Sequence, residues 1–166
     1  MKISGCLATN PTEAHQAAQL GFAVQLLLHT PRATFAMAAM SAWLIPAIRL
    51  QQIAFLFDPH SGRPRAYATW AFLTPEVSRA LADDPLRLLH LSEWNEGLEP
   101  WVMDVVAPFG GAGLLLRTMR RGVLADIPNV RGFGRRQRGR AHQSEDLAIG
   151  PVISSAGAER ECVDAR

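Results

Sequence analysis

Between Trp101 and Gly111 the chain reads Trp-Val-Met-Asp-Val-Val-Ala-Pro-Phe-Gly-Gly. Aromatic and β-branched residues in such a run predict a buried strand. The run carries one carboxylate, Asp104. Strict alternation places Trp101, Met103, Val105 and Ala107 on one face, and Val102, Asp104 and Val106 on the other. Asp104 is then flanked by valines, where an unpaired carboxylate is costly or takes up a proton. Pro108 stops the strand. Gly110 and Gly111 turn the chain, and an apolar helix follows. A carboxylate near the end of a strand, just before free helix N–H groups, is a common place for a site.

The remaining pattern is helical first, then mixed. Asn10-Pro11-Thr12-Glu13 is a helix start, with Asn10 as cap and Pro11 at the first helical position. Ala14, Ala17, Ala18, Gly21, Val24, Leu27 and Leu28 recur at helical spacing. Thr30-Pro31 ends this helix, because a residue before proline avoids the α region. A second, buried helix is expected from Arg32 or Ala33 to Leu44, with Phe35, Met37, Met40 and Trp43 in the core. The apolar run from Ala33 to Ile48 is too short to cross a bilayer, and Pro46 interrupts it. Gln52–Phe57 and Arg65–Phe72 read as an antiparallel hairpin around the Asp58–Pro64 turn cluster. Thr74-Pro75-Glu76 opens a short helix to Ala82. Asp83–Glu99 is a connecting segment with a weak strand near Arg87–Leu91. A helix over Ala112–Arg121 is stopped by Gly122, and Val130–Phe133 is a last strand. This order gives an α+β class in a single domain, a mixed or antiparallel sheet flanked by helices.

A chain of 166 residues supports one domain with a substantial core. The expected organisation is a tail over 1–10, the domain over 11–140, and a disordered tail over 141–166. Met1–Asn10 lacks the apolar core of a secretory signal. Cys6 and Cys162 have no metal-ligand spacing and support no disulfide framework, so a reducing cytoplasm and no metal are expected. Arg117, Arg120, Arg121, Arg131, Arg135, Arg136, Arg138 and Arg140 form a basic block opposed only by Asp126. Such a block suits an acidic partner. RNA is the competing partner, but no aromatic platform or nucleic-acid motif accompanies the charge. A solvated tail explains the block equally well. Lys2 is the single lysine. Arginine-biased codon usage and avoidance of self-modification both account for that.

Trp-Val-Met-Asp-Val-Val-Ala-Pro-Phe-Gly resembles the signature of the RTX toxin-activating lysine acyltransferases. These enzymes move a fatty acyl group from acyl carrier protein onto internal lysines of an RTX protoxin. Two further segments resemble the same family in the same order. They are Pro46-Ala47-Ile48-Arg49, with Gln52 after it, and Tyr67-Ala68-Thr69-Trp70-Ala71. The resemblance covers roughly Leu20–Arg121. It implies a GNAT-like fold, a cytoplasmic acyltransferase and no tightly bound cofactor. The donor it implies is acyl carrier protein with its phosphopantetheine thioester, and the acceptor is an RTX-type protoxin. No nucleic acid and no membrane span are implied, and a homodimer is left open.

Acyl transfer to an amine needs a base, donors for the oxyanion and a groove for the acyl chain. The resemblance implies a catalytic aspartate at Asp104, close to the Thr30–Ala33 segment. It also implies a histidine in a Ser-Pro-any-His-Arg pattern. Here the sequence is Thr30-Pro31-Arg32-Ala33-Thr34, so Ala33 stands at the histidine position and Thr34 at the arginine position. His29 is the nearest imidazole and the candidate relocated base. It is equally a histidine that simply suits a helix C-terminus. Phe109, Gly110 and Gly111 form the candidate oxyanion or phosphate turn. Two alternatives remain: a catalytically degenerate member acting as a binding protein, and a GNAT-like N-acyltransferase with another amine acceptor.

Overall fold

The computed structural model describes residues 11–125, 127, 129–133 and 144–146. The tail residues 1–10, the cap Asn10, both cysteines, and Arg135, Arg136, Arg138 and Arg140 lie outside them. Among the described residues there are five α-helices: α1 (Pro11–Leu27), α2 (Met40–Trp43), α3 (Ile45–Arg49), α4 (Pro75–Asp83) and α5 (Ala112–Arg121). The described residues also form five strands: β1 (Ile53–Phe57), β2 (Pro64–Leu73), β3 (Glu99–Val106), β4 (Arg131–Phe133) and β5 (Ser144–Asp146). They form one sheet in the order β1-β2-β3-β4-β5. Only the β3–β4 pair is parallel; α5 makes the crossover that a parallel pair requires. The class is therefore α+β with a mixed, mainly antiparallel sheet, as expected. The pairing of β5 with β4 falls in a stretch that shows no strand pattern in the sequence.

Each sheet face has its own core. On one face Ala23, Leu26 and Leu27 of α1 meet Leu44, Ile48, Ile53, Tyr67 and Val106. Further along that face, Ala47, Ala71, Leu73, Leu81, Trp94 and Trp101 pack together. Trp101 is fully buried, and its indole N–H donates to Ser78 Oγ at 2.8 Å. On the other face α5 lays Leu115 and Met119 over Ala66, Ala68, Trp70 and Val102. Burying a side chain of this size contributes roughly 1.5–3 kcal/mol.

The hairpin, α4 and α5 form where expected. Thr74 caps α4, its hydroxyl accepting from Val77 N. Three expectations need correction. The buried face of α1 is Gln19, Ala23, Leu26 and Leu27, while Ala14, Ala17, Ala18 and Leu28 are exposed. Small and apolar residues surround this helix, so period alone does not fix its face. The second helix is broken into 3-10 turns over Pro31–Thr34 and Met37–Ala39, then α2 and α3. Phe35 and Met37 are exposed there rather than in the core. Pro31 and Pro46 each open a new short helix, because proline fits a first turn and breaks an interior. The Arg87–Leu91 strand is absent. His90 instead caps a 3-10 turn over Leu91–Trp94, with Glu93 reaching back to His90 N at 2.7 Å.

Candidate functional site

The site begins with a slip in register. Thr69 pairs with Asp104, but Trp70 pairs with Val102, leaving Met103 without a partner on β2. This bulge corrects the strict alternation. Trp101 packs on the α1 side, where Val106 also lies, whereas Val102 and Val105 pack on the α5 side. Asp104 therefore lies on the Tyr67 face with Val106, and Val102 is not its neighbour on that face. A bulge re-aims a side chain and is common beside active sites. The β3–β4 pairing covers only Trp101 and Val102. Residues 134–143, which follow β4, lie outside the described ones; Asp104 lies two residues beyond the last described pair.

Two side chains hold the carboxylate. Arg32 Nη1 donates to Asp104 Oδ2 at 2.5 Å, and the Tyr67 hydroxyl donates to the same oxygen at 3.0 Å. Asp104 thus meets the Thr30–Ala33 segment as expected, through Arg32. The Thr30 side chain accepts from Arg32 N at 3.2 Å, fixing the start of the turn that presents the guanidinium. The guanidinium carbon also lies 5.6 Å from the Trp43 ring centre, a cation–π distance. The Asp104 side chain is 11% exposed and that of Arg32 is 39% exposed. Burial of Arg32 works against its charge, but the bond to Asp104 and its negative field outweigh burial and raise the pKa. Burial first, and then the Asp104 charge, push the Tyr67 phenol far above its ordinary value. Tyr67 is fully buried and stays a neutral donor.

Asp104 opens on a cavity of about 880 Å³. One wall holds Arg32, Phe35 and Trp43. A second is apolar and comes from the α4–β3 connection, with Leu86, Leu88, Leu89 and Trp94. Gly110, Gly111 and Ala112 close one end. Arg87 and Glu93 tie the connecting segment together at 2.6 Å.

The turn before α5 is built on backbone that favours glycine. Gly110 and Gly111 have φ of 76° and 92°. No side chain caps α5 at Gly111, so its first N–H groups face the turn uncapped. The Phe109 carbonyl accepts from Arg65 Nη2 at 2.8 Å, which pins the turn to β2. His29 lies just beyond α1, exposed, with its ring edge-on to Phe109 at 4.8 Å between centres. The structure therefore brings His29 to the Phe109–Gly111 turn. Among the described residues, the side-chain partners of Asp104 are Arg32 and Tyr67.

Chemically, the site offers a compensated carboxylate, a neutral phenol, a paired cation, free helix N–H groups and an apolar cavity. A guanidinium cannot take a proton near neutrality, so Arg32 is no substitute for an imidazole base. Sequence reasoning missed Arg32 and Tyr67. The signals were present: Arg32 lies between Pro31 and Ala33 in the segment expected near Asp104, and Tyr67 shares a face with Thr69. Among the described residues no cluster of acidic, histidine or cysteine side chains could hold a metal ion. No helix among them is long and apolar enough to cross a membrane.

A family model described as the RTX toxin acyltransferase family matches residues 12–145. The RTX-II toxin-activating lysine-acyltransferase of Actinobacillus pleuropneumoniae is 39% identical over 84 residues, which are 51% of each chain. A lysine-acyltransferase of Vibrio cholerae is 29% identical over 115 residues, 69% of this chain and 74% of its own. A protein-lysine myristoyltransferase of Kingella kingae is 36% identical over 85 residues, 51% of this chain and 49% of its own. Against the first and third of these, the match spans about half the relative's length.

Proposed function

The chain belongs to the RTX toxin acyltransferase family, and on that premise we propose that it is a protein-lysine acyltransferase. In this reading it moves a fatty acyl group from acyl carrier protein to an internal lysine of an RTX-type protoxin and so activates it. The observation that carries the reading is the Asp104 carboxylate on β3, held by Arg32 and Tyr67 and facing a large cavity with an apolar wall.

The acceptor ammonium first gives up a proton. The free amine attacks the thioester carbonyl, and the carbonyl electrons move onto oxygen. The attacking nitrogen gives up its second proton as the intermediate collapses to an amide and expels the carrier's thiolate, which takes up that proton. His29 is the proposed base, placed on Phe109 at the rim of the turn. Asp104 holds positive charge at the acceptor side. The uncapped N–H groups at the start of α5, on the Phe109–Gly110–Gly111 turn, receive the developing oxyanion, the Gly110 N–H itself being given to the Ala107 carbonyl. The apolar wall takes the acyl chain. The arginine-rich stretch, whose residues 134–143 lie outside the described ones, docks the acidic carrier protein in the cytoplasm.

A degenerate member that binds without transferring is favoured by one observation. Arg32, not an imidazole, holds Asp104. The test is mass spectrometry of protoxin after incubation with acyl carrier protein charged with a fatty acid. The expected result is a lysine heavier by one acyl group. Loss should be about 10²–10⁴-fold in His29→Ala, and comparable in Asp104→Asn. No product from the wild type would establish the binding role. Transfer that survives both substitutions would place the site elsewhere.

A further inference from the structure

Arg32 is held as a bound cation would be. A carboxylate accepts its N–H, an aromatic face lies under its charge, and a buried phenol donates to the same carboxylate oxygen. A cation, a carboxylate and an aromatic face line the same cavity as Arg32, Asp104 and Trp43. Resting on the acyl-transfer reading, we infer that Asp104, Trp43 and Tyr67 form the subsite for a primary alkylammonium, the side chain of the acceptor lysine, and that Arg32 is its built-in occupant.

Three observations support the exchange. Arg32 is anchored by a 3-10 turn with no buried residue, so its side chain can leave without disturbing a core. The Arg32 side chain is 39% exposed, so it has water to move into. The Asp104 side chain is only 11% exposed, so a carboxylate that loses Arg32 is poorly solvated and favours another cation. Swapping one cation for another keeps the buried charge compensated throughout. Tyr67 does not have to move, because its hydroxyl stays on Oδ2 in either case. Lysine reaches such a site as a compact charge on a flexible stem, which suits the cavity. Arg32 then acts as an intramolecular competitor. Acceptor binding requires it to be displaced, so an isolated amine binds weakly to the resting protein.

The test is direct binding of n-butylammonium, followed by calorimetry and by ligand-detected NMR on the full chain, with n-butanol as the neutral control. Arg32→Gln removes the competing charge and keeps a hydrogen-bonding side chain of similar reach. It is expected to bind n-butylammonium at least tenfold more tightly than the wild type, with no gain for n-butanol. Arg32→Gln combined with Asp104→Asn is expected to lose that gain. Should Arg32→Gln prove unstable, the shift of its melting temperature with added n-butylammonium reports the same interaction. Equal binding in wild type and Arg32→Gln, or a gain that persists in the double variant, would overturn the inference. Transfer to protoxin is read separately. An inactive wild type removes the acyl-transfer reading, whereas a missing ammonium gain removes only the subsite.

Discussion

Replacing Tyr67 with Phe deletes one hydroxyl and nothing else, and its effect should reverse sign with pH. The phenol is fully buried and donates to Asp104 Oδ2 at 3.0 Å. A hydrogen bond to a charged acceptor is worth about 1.5–3 kcal/mol. Arg32 still compensates the carboxylate in the variant, so no bare charge is left. The expected loss at pH 7 is therefore about 2 kcal/mol. Above about pH 10 an unfolded tyrosine gives up its proton. In the folded chain burial and the Asp104 charge raise the pKa of Tyr67, so it keeps its proton. The unfolded state then binds fewer protons than the native state, and wild-type stability falls by about 1.4 kcal/mol per pH unit. Phenylalanine has no such term. The two stability curves should meet about 1.5 units above the phenol's ordinary value, near pH 11.5. The composition makes the assay clean. The chain has one tyrosine, and Lys2 is its single lysine. Urea unfolding followed by tryptophan fluorescence gives the stabilities, and the tyrosinate absorbance reports Tyr67 alone. Curves that stay parallel to pH 12, or tyrosinate forming in the folded protein near pH 10, would refute the reasoning.

Gly97 approaches β2 so closely that an added Cβ would lie 1.9 Å from the Leu73 carbonyl oxygen. Gly97→Ala should cost about 3 kcal/mol or more in urea unfolding; a cost under 1 kcal/mol would mean the approach is looser. Glu93 holds Arg87 and the His90 N–H, and these contacts lower its pKa. Stability from a lowered carboxylate is present above its unfolded pKa and is lost as pH falls through the folded one. Glu93→Gln should thus destabilise at pH 7 and lose less than the wild type below about pH 4; hydrogen exchange of residues 84–94 reads the local effect. If the basic block docks acyl carrier protein, replacing Arg135, Arg136 and Arg138 with serine should weaken binding. That binding should also weaken with salt, because exposed charges are screened over about 10 Å at 0.1 M; an unchanged titration would remove the block from the interface.

The sequence by itself determined the elements whose signals are local. Proline and threonine at helix starts, glycine after α5, and alternation in β2 each act within a few residues, and all of them held. It also placed Asp104 at the end of a strand before a helix, while its nearness to the Thr30–Ala33 segment came from the family resemblance. Tertiary structure decided the rest, because the deciding contacts are distant along the chain. The buried face of α1 depends on which side meets the sheet, since small residues surround the helix. The bulge at Met103 arises from pairing between β2 and β3, and no period within β3 alone reveals it. Arg32 and Asp104 are 72 residues apart. Only once the turn after α1 is folded against the sheet does the carboxylate acquire a cation. An arginine at that place in the sequence is one charge among many; against a half-closed carboxylate it sets what the site can bind.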